Sequence, residues 1–148
     1  MIVEPYVSVL TDEGHALEPS RRDALDVIVV GAGQAGLSVG YHLKRLGLRA
    51  LLLDASERVG DAWRQRWDTL RLFTPAWLDS LDGLAFPAPS QHFPTKDEMA
   101  DYLELYARHH ELDVRNRVRV TSLRRAAEGY VLRTSAGEFR APQVVIAM

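Results

Sequence analysis

Cysteine is absent from the chain. That removes disulfides, thiolate nucleophiles and cysteine-ligated metals, and it leaves no sign of an oxidising compartment. No apolar run approaches the ~18 residues that cross a bilayer. Glu4, Asp12 and Glu13 stand where a secretion signal needs basic residues and then a long apolar stretch. A dominant charge is also lacking: the formal net charge is −2, so no basic field draws nucleic acid or anionic lipid. Neither an internal repeat nor a low-complexity tract is present. A soluble cytoplasmic protein, with no membrane or nucleic-acid partner, is therefore expected. What remains is 148 residues, 47% of them hydrophobic, enough for one domain with its own core.

The pattern divides the chain in two. Residues 1–24 are interrupted by Pro5, Gly14 and Pro19 and show no amphipathic face; a flexible or loosely docked extension is expected. Residues 25–148 carry all the periodicity. Asp26 to Val30 is a short β-branched strand. From Gln34 to Leu46 the period becomes helical, with Gly36, Val39, Gly40, Leu43 and Leu46 on one face. Lys44 and Arg45 suit the negative end of that helix, and "ALLLD" forms a second buried strand. From Gly60 to about Pro94 the period fades into a segment rich in aromatics and prolines. It is too apolar for a linker, and a long irregular stretch of this kind usually covers something.

Thr95 and Glu98 then form a capping box at the head of a helix. Its apolar face is Met99, Tyr102, Leu103, Tyr106 and His110. His109 and His110 lack partners at metal-ligand spacing and read as terminal histidines favoured by the dipole. "VRVTSLRR", "GYVLRTS" and "GEFRAP" alternate and predict a three-stranded meander. Arg115, Arg117 and Arg119 take one face of the first strand, a solvent face, opposite Val114, Val118 and Val120. The final "QVVIAM" reads as a strand buried on both faces.

Chemistry enters at Gly31-Ala32-Gly33-Gln34-Ala35-Gly36. A bare Gly-x-Gly-x-x-Gly is weak evidence, but here it follows a strand, opens a helix and precedes a second strand. Gly31 permits the tight turn, Gly33 lets backbone approach a pyrophosphate, and Gly36 lets the helix lie against the sheet. The helix N-terminus offers unpaired N–H groups and partial positive charge to phosphates. Asp54 closes the next strand, 18 residues beyond Gly36, where a carboxylate accepts hydrogen bonds from ribose hydroxyls and repels a 2′-phosphate. The fingerprint alone does not separate NAD from FAD. The order that follows, one long aromatic segment, one helix and a meander, suits the FAD domain of flavoproteins that bind two dinucleotides.

On "GAGQAGLS", "GDAWRQRWDTLRLFTP", "FPTKDEMADYLELYA" and "VVIAM", residues 26 to 148 resemble the flavin-containing monooxygenases, especially their bacterial and plant YUCCA-like members. The resemblance implies an α/β, Rossmann-like FAD/NAD(P)-binding domain over 25–148: a parallel sheet with helices and a three-stranded β-meander crossover. It places Gly31, Gly33, Gln34, Ala35 and Gly36 along the FAD pyrophosphate and Asp54 on the adenosine ribose, where many relatives have Glu. Gly60, Asp61 and Trp63 match a Gly-Gly-x-Trp-like turn beside the flavin, with Asp61 in place of the second glycine. Val120 matches a position whose backbone contacts adenine. Trp63 offers an apolar plate with one N–H donor, although a core tryptophan is the plainer reading. Arg64, Arg66 and Arg71 would offset phosphate charge, or else be solvated or paired with Asp61 and Asp68.

In that family the last strand leads to a second nucleotide domain for NADPH. Gly83, Gly129 and Gly137 are isolated and form no second fingerprint. The expectation is thus the FAD-binding portion of an NADPH-using monooxygenase, truncated before the NADPH domain. Alone it would be inactive, with no catalytic residue to name, and a chain carrying the missing domain is a candidate partner. Two other readings stay open: a non-catalytic nucleotide-binding module or half of a split flavoenzyme, and an NAD-dependent dehydrogenase domain.

Overall fold

The computed structural model describes residues 24–148; the expected N-terminal extension, all but its last residue, lies outside them. The elements run β1 (Val27–Val30), α1 (Gln34–Arg45), β2 (Ala50–Leu53), α2 (Asp61–Arg64), α3 (Lys96–His109), β3 (Val114–Arg115), β4 (Val120–Ala126), β5 (Gly129–Thr134), β6 (Gly137–Ala141) and β7 (Gln143–Ile146). Strands β3-β2-β1-β7 form one sheet in that order, with every neighbouring pair parallel, and β4-β5-β6 form a separate antiparallel sheet. The expected α/β architecture with a meander is what the structure has.

Period-2 alternation sorts the parallel sheet into two cores. Val27, Val29 and Leu52 belong to a cluster with Leu37 of α1 and with Met99, Tyr102, Leu103 and Tyr106 of α3. Ile28, Val30, Leu51 and Leu53 belong to a second cluster with Leu132 and Ala141 of the meander. The sheet is thus covered by helices on one face and by the meander on the other. That explains why β1 is buried at all four positions. Fully burying each such side chain contributes about 1.5–3 kcal/mol.

Three expectations need correction. β7 is not buried on both faces: it is an edge strand, Val144 and Val145 are half-buried and Ile146 is 55% exposed. β-branched runs mark extended backbone, but only neighbouring strands decide burial. Residues 114–120 are not one strand. β3 joins the parallel sheet, β4 the antiparallel one, and Arg117 between them takes a left-handed φ of 59°. The Arg117 N–H donates to the Ser56 carbonyl at 2.8 Å, which steers the chain from one sheet to the other. All three arginines remain exposed. On α1, Leu46 is 74% exposed while Leu37 is fully buried, because the helix ends at Arg45 and Leu46 has left its period.

The helix α3 carries its capping box as expected. Thr95 accepts the Glu98 N–H, and Glu98 accepts the Thr95 N–H at 2.7 Å. His110 is the C-cap, and its ring packs against Tyr41 and Tyr106. Among the described residues no helix is long and apolar enough to cross a membrane, and no cluster of His, Asp or Glu suits a metal.

Candidate functional site

In the strand order β3-β2-β1-β7, the chain leaves β1 toward β2 and returns to the other side of β1 at β7. Crevices that take ligands in open parallel sheets form at the carboxyl ends of strands beside such a reversal. Here those ends are Gly31, Asp54 and Ala147.

Backbone builds the first wall. Gly31 has φ +102°, and a Cβ there would stand 2.5 Å from the Ala147 carbonyl oxygen. A Cβ on Gly36 would lie 1.9 Å from the Gly31 carbonyl oxygen. Both glycines are therefore demanded by the folded chain itself. Gly33 differs: a Cβ there would meet nothing within 4 Å. It is the N-cap of α1, no side chain caps it, and no acidic residue occupies the first turn. The first N–H groups of α1 thus face outward with the positive end of the helix dipole behind them.

Asp54 braces this turn. Its Oδ2 accepts the Ala32 N–H at 2.7 Å and its Oδ1 accepts the Ser56 N–H at 2.8 Å. Each carboxylate oxygen keeps a further lone pair for a ligand hydroxyl.

Side chains build the opposite wall. Gly60, at φ +89°, starts α2, and a Cβ there would lie 2.5 Å from the Ala100 carbonyl of α3. Asp61, only 9% exposed, accepts the Arg58 N–H, Arg58 Nε–H and Arg64 Nη1–H at 3.1, 3.1 and 3.2 Å. Burial pushes its carboxyl up, but the hydrogen bonds from Arg58 and Arg64 outweigh that and hold it below the ordinary carboxylate value. Arg64 also donates to the Val59 carbonyl, to Asp101 and to Glu104 at 2.7, 2.9 and 2.8 Å. Burial alone would lower its pKa; hydrogen bonds to Asp101 and Asp61 and the Glu104 charge raise it instead.

The two walls enclose one cavity of about 320 Å³, within the range of small-molecule sites. Gly33, Gln34, Ala35 and Asp54 line one side; Gly60, Asp61 and Trp63 line the other. Gly31 and Gly36 do not line it; their missing side chains let backbone meet backbone within the turn. Val120 begins β4, packs against the meander-side core and does not line the cavity. Trp63 serves both of its readings, since it packs against the helix-side core and lines the cavity.

A family profile of pyridine nucleotide-disulphide oxidoreductases matches residues 28–148. The chain belongs to this family. It is 44% identical, over 83% of its length, to the CzcO-like oxidoreductase of Geobacillus kaustophilus, of which it covers 35%. Over 57% of its length it is 36% identical to the probable indole-3-pyruvate monooxygenase YUCCA7 of Arabidopsis thaliana, covering 20% of that protein. Among solved structures, the flavin-containing monooxygenase of Stenotrophomonas maltophilia matches with a TM-score of 0.80 at 36% identity, over 84% of this chain and 38% of that one. The resemblance to flavin-containing monooxygenases is borne out, and the chain spans little more than a third of these two bacterial proteins. With no cysteine, this chain carries no redox-active disulfide of its own.

The structure sorts the three candidate phosphate arginines. Arg64 is consumed by Asp61, Asp101 and Glu104 rather than by Asp68, and Arg71 donates to the Phe93 carbonyl away from the cavity. Arg66 alone of the three lines it. Sequence reasoning missed Ser56, Arg58 and Leu103 in the lining, and it missed Lys96, which is only 7% exposed. Lys96 had a signal: a lysine in the first turn of a helix opposes the dipole, so another partner had to hold it.

Proposed function

We propose that residues 25–148 are the FAD-binding portion of a flavin-dependent, NADPH-using monooxygenase or oxidoreductase. The observation that carries the reading is the empty space over Gly33. The fold does not need glycine there, so the missing side chain makes room for something else, at a helix N-terminus free of acidic residues. Asp54 and Trp63 share that cavity, one suited to ribose hydroxyls and the other to a flat apolar ring.

The residues fit FAD as follows. Gly33, Gln34 and Ala35 present backbone N–H groups to the pyrophosphate, with Arg66 as the nearby cation. Asp54 accepts the adenosine ribose hydroxyls while keeping its two bonds to the turn. Gly60, Asp61 and Trp63 form the wall toward the flavin. When bound, FAD supplies two-electron redox chemistry, with NADPH as reductant and O₂ as oxidant in monooxygenases. The protein's share is to bind, orient and exclude water. Asp61 holds no proton to give near neutral pH, because its carboxyl lies below the ordinary range in two ion pairs. The share of these residues is to position the cofactor, and hydride delivery from NADPH needs a second nucleotide site outside residues 25–148.

The test is the visible spectrum of the purified chain with FAD and NADPH added separately. The expected result is a yellow protein with a perturbed flavin band and no NADPH consumption. Failure to take up FAD would remove the cofactor assignment. Rapid NADPH oxidation by the isolated chain would overturn the claim that reduction needs a further site.

A further inference from the structure

The wall formed by Gly60, Asp61 and Trp63 has little of its own to stand on. It belongs to a helix of four residues at the head of a long irregular segment. Three contacts tie it to α3. Gly60 lies against the Ala100 carbonyl so closely that no Cβ fits. The Arg64 guanidinium, 14% exposed, spans from Asp61 and the Val59 carbonyl on its own side to Asp101 and Glu104 on α3. The Lys96 Nζ, on a side chain 8% exposed, donates from the first turn of α3 to the Arg64 carbonyl at 3.1 Å and to Asp97 at 2.9 Å. Lys96 thereby puts a cation at the carbonyl end of α2, where the helix dipole favours one.

We propose that Arg64 and Lys96 form a joint that holds the Gly60–Trp63 wall in register with the Gly31–Gly36 turn, and that Arg64 is a positioning residue for the cofactor. The inference rests on the FAD reading above. Neither Arg64 nor Lys96 lines the cavity, whereas Gly60, Asp61, Ala62 and Trp63 between them do. Four charge-assisted bonds in a fixed planar fork specify orientation more than they stabilise, because desolvation offsets much of the Coulomb gain. The consequence is a separation of affinities. A ligand made only of the ADP half needs the glycine turn and Asp54. The whole dinucleotide also needs the second wall. Loosening the joint weakens FAD and spares ADP.

The test compares FAD and ADP affinity in the full chain and in R64M, R64K, K96M and E104Q, alongside the thermal midpoint without ligand. R64M is expected to weaken FAD by about tenfold or more while ADP affinity stays within about twofold, since small misplacements of a supported group cost this much. R64K, which keeps the charge but loses the fork, is expected to recover part of the difference. Equal weakening of FAD and ADP in R64M, tracking a fall in the midpoint, would reduce Arg64 to a structural residue and overturn the joint. Unchanged FAD affinity in R64M would overturn it as well. Should R64M not fold, K96M and E104Q each remove one arm, and the same ratio of FAD to ADP affinity decides. Absence of FAD binding by the unsubstituted chain is a different outcome, which rejects the cofactor reading itself.

Discussion

The two walls of the cavity are made in opposite ways. The Gly31–Gly36 wall is backbone, shaped by where side chains are forbidden and by one brace from Asp54. The α2 wall is side chain, shaped by arginine, lysine and carboxylates that reach across 32 to 40 residues of sequence. A wall of the first kind tolerates no substitution where chain meets chain. A wall of the second kind bends gradually and responds to pH and salt. The cavity therefore combines a rigid half with a tunable half.

The largest effect is expected at Gly36. A Cβ at 1.9 Å from a carbonyl oxygen has no flexible neighbour to displace. G36V should destabilise the chain by more than about 3 kcal/mol, measured by urea unfolding, and an unfolding midpoint near that of the unsubstituted chain would break the claim that the turn is sterically exact. Gly33 sharpens the contrast. G33A places its Cβ in open space at an ordinary φ of −78°, so stability should fall by only about 1 kcal/mol, the loss of alanine against glycine at an N-cap. FAD affinity should nonetheless fall by about 2 kcal/mol or more, because the methyl fills the cradle over the helix N-terminus. A titration showing full affinity in G33A would mean that the cofactor does not sit there.

On the second wall, D61N should cost about 1–3 kcal/mol at neutral pH by unpairing Arg58 and Arg64. The sign of its pH dependence is set by the depressed carboxyl. Its folded pKa lies below the unfolded reference of 3.8, so the stability it contributes is fully present above that value. It is lost as pH falls through the folded value. Stability curves of the unsubstituted chain and D61N should therefore converge as pH falls below that folded value. The smallest effect is at Arg66, which is exposed and lines the cavity. R66Q should weaken FAD only about threefold in low salt, and the difference should vanish as ionic strength rises, checked by titrations at two salt concentrations. A difference that survives salt would place Arg66 in direct, dehydrated contact instead.

These contrasts follow what can be read along a chain. The glycine turn was legible because its requirements are local. Strand, turn and helix occupy neighbouring residues, and Asp54 falls at the end of the next strand for the same reason. Helix α3 was legible through Thr95 and Glu98, whose bonds span a single turn. The edge position of β7 was not legible, because β-branched residues signal extension equally well in a strand with one neighbour or two. The break between β3 and β4 was hidden because alternation continues across Arg117 while the chain changes sheets. Arg64 could be paired on paper with nearby Asp61 but not with Asp101 and Glu104, which only the packing of α2 on α3 brings near.

Short-range order, then, is what the amino acids settled unaided: where the chain extends, coils and turns, and where a glycine turn opens a helix. Those outcomes depend on dihedral sterics and hydrogen bonds between residues a few places apart. Which strand ends up at the sheet edge, which arginine is buried and which is left facing the cavity were decided only in three dimensions. Burial and charge pairing are properties of neighbours in space, and the chain's order does not list them.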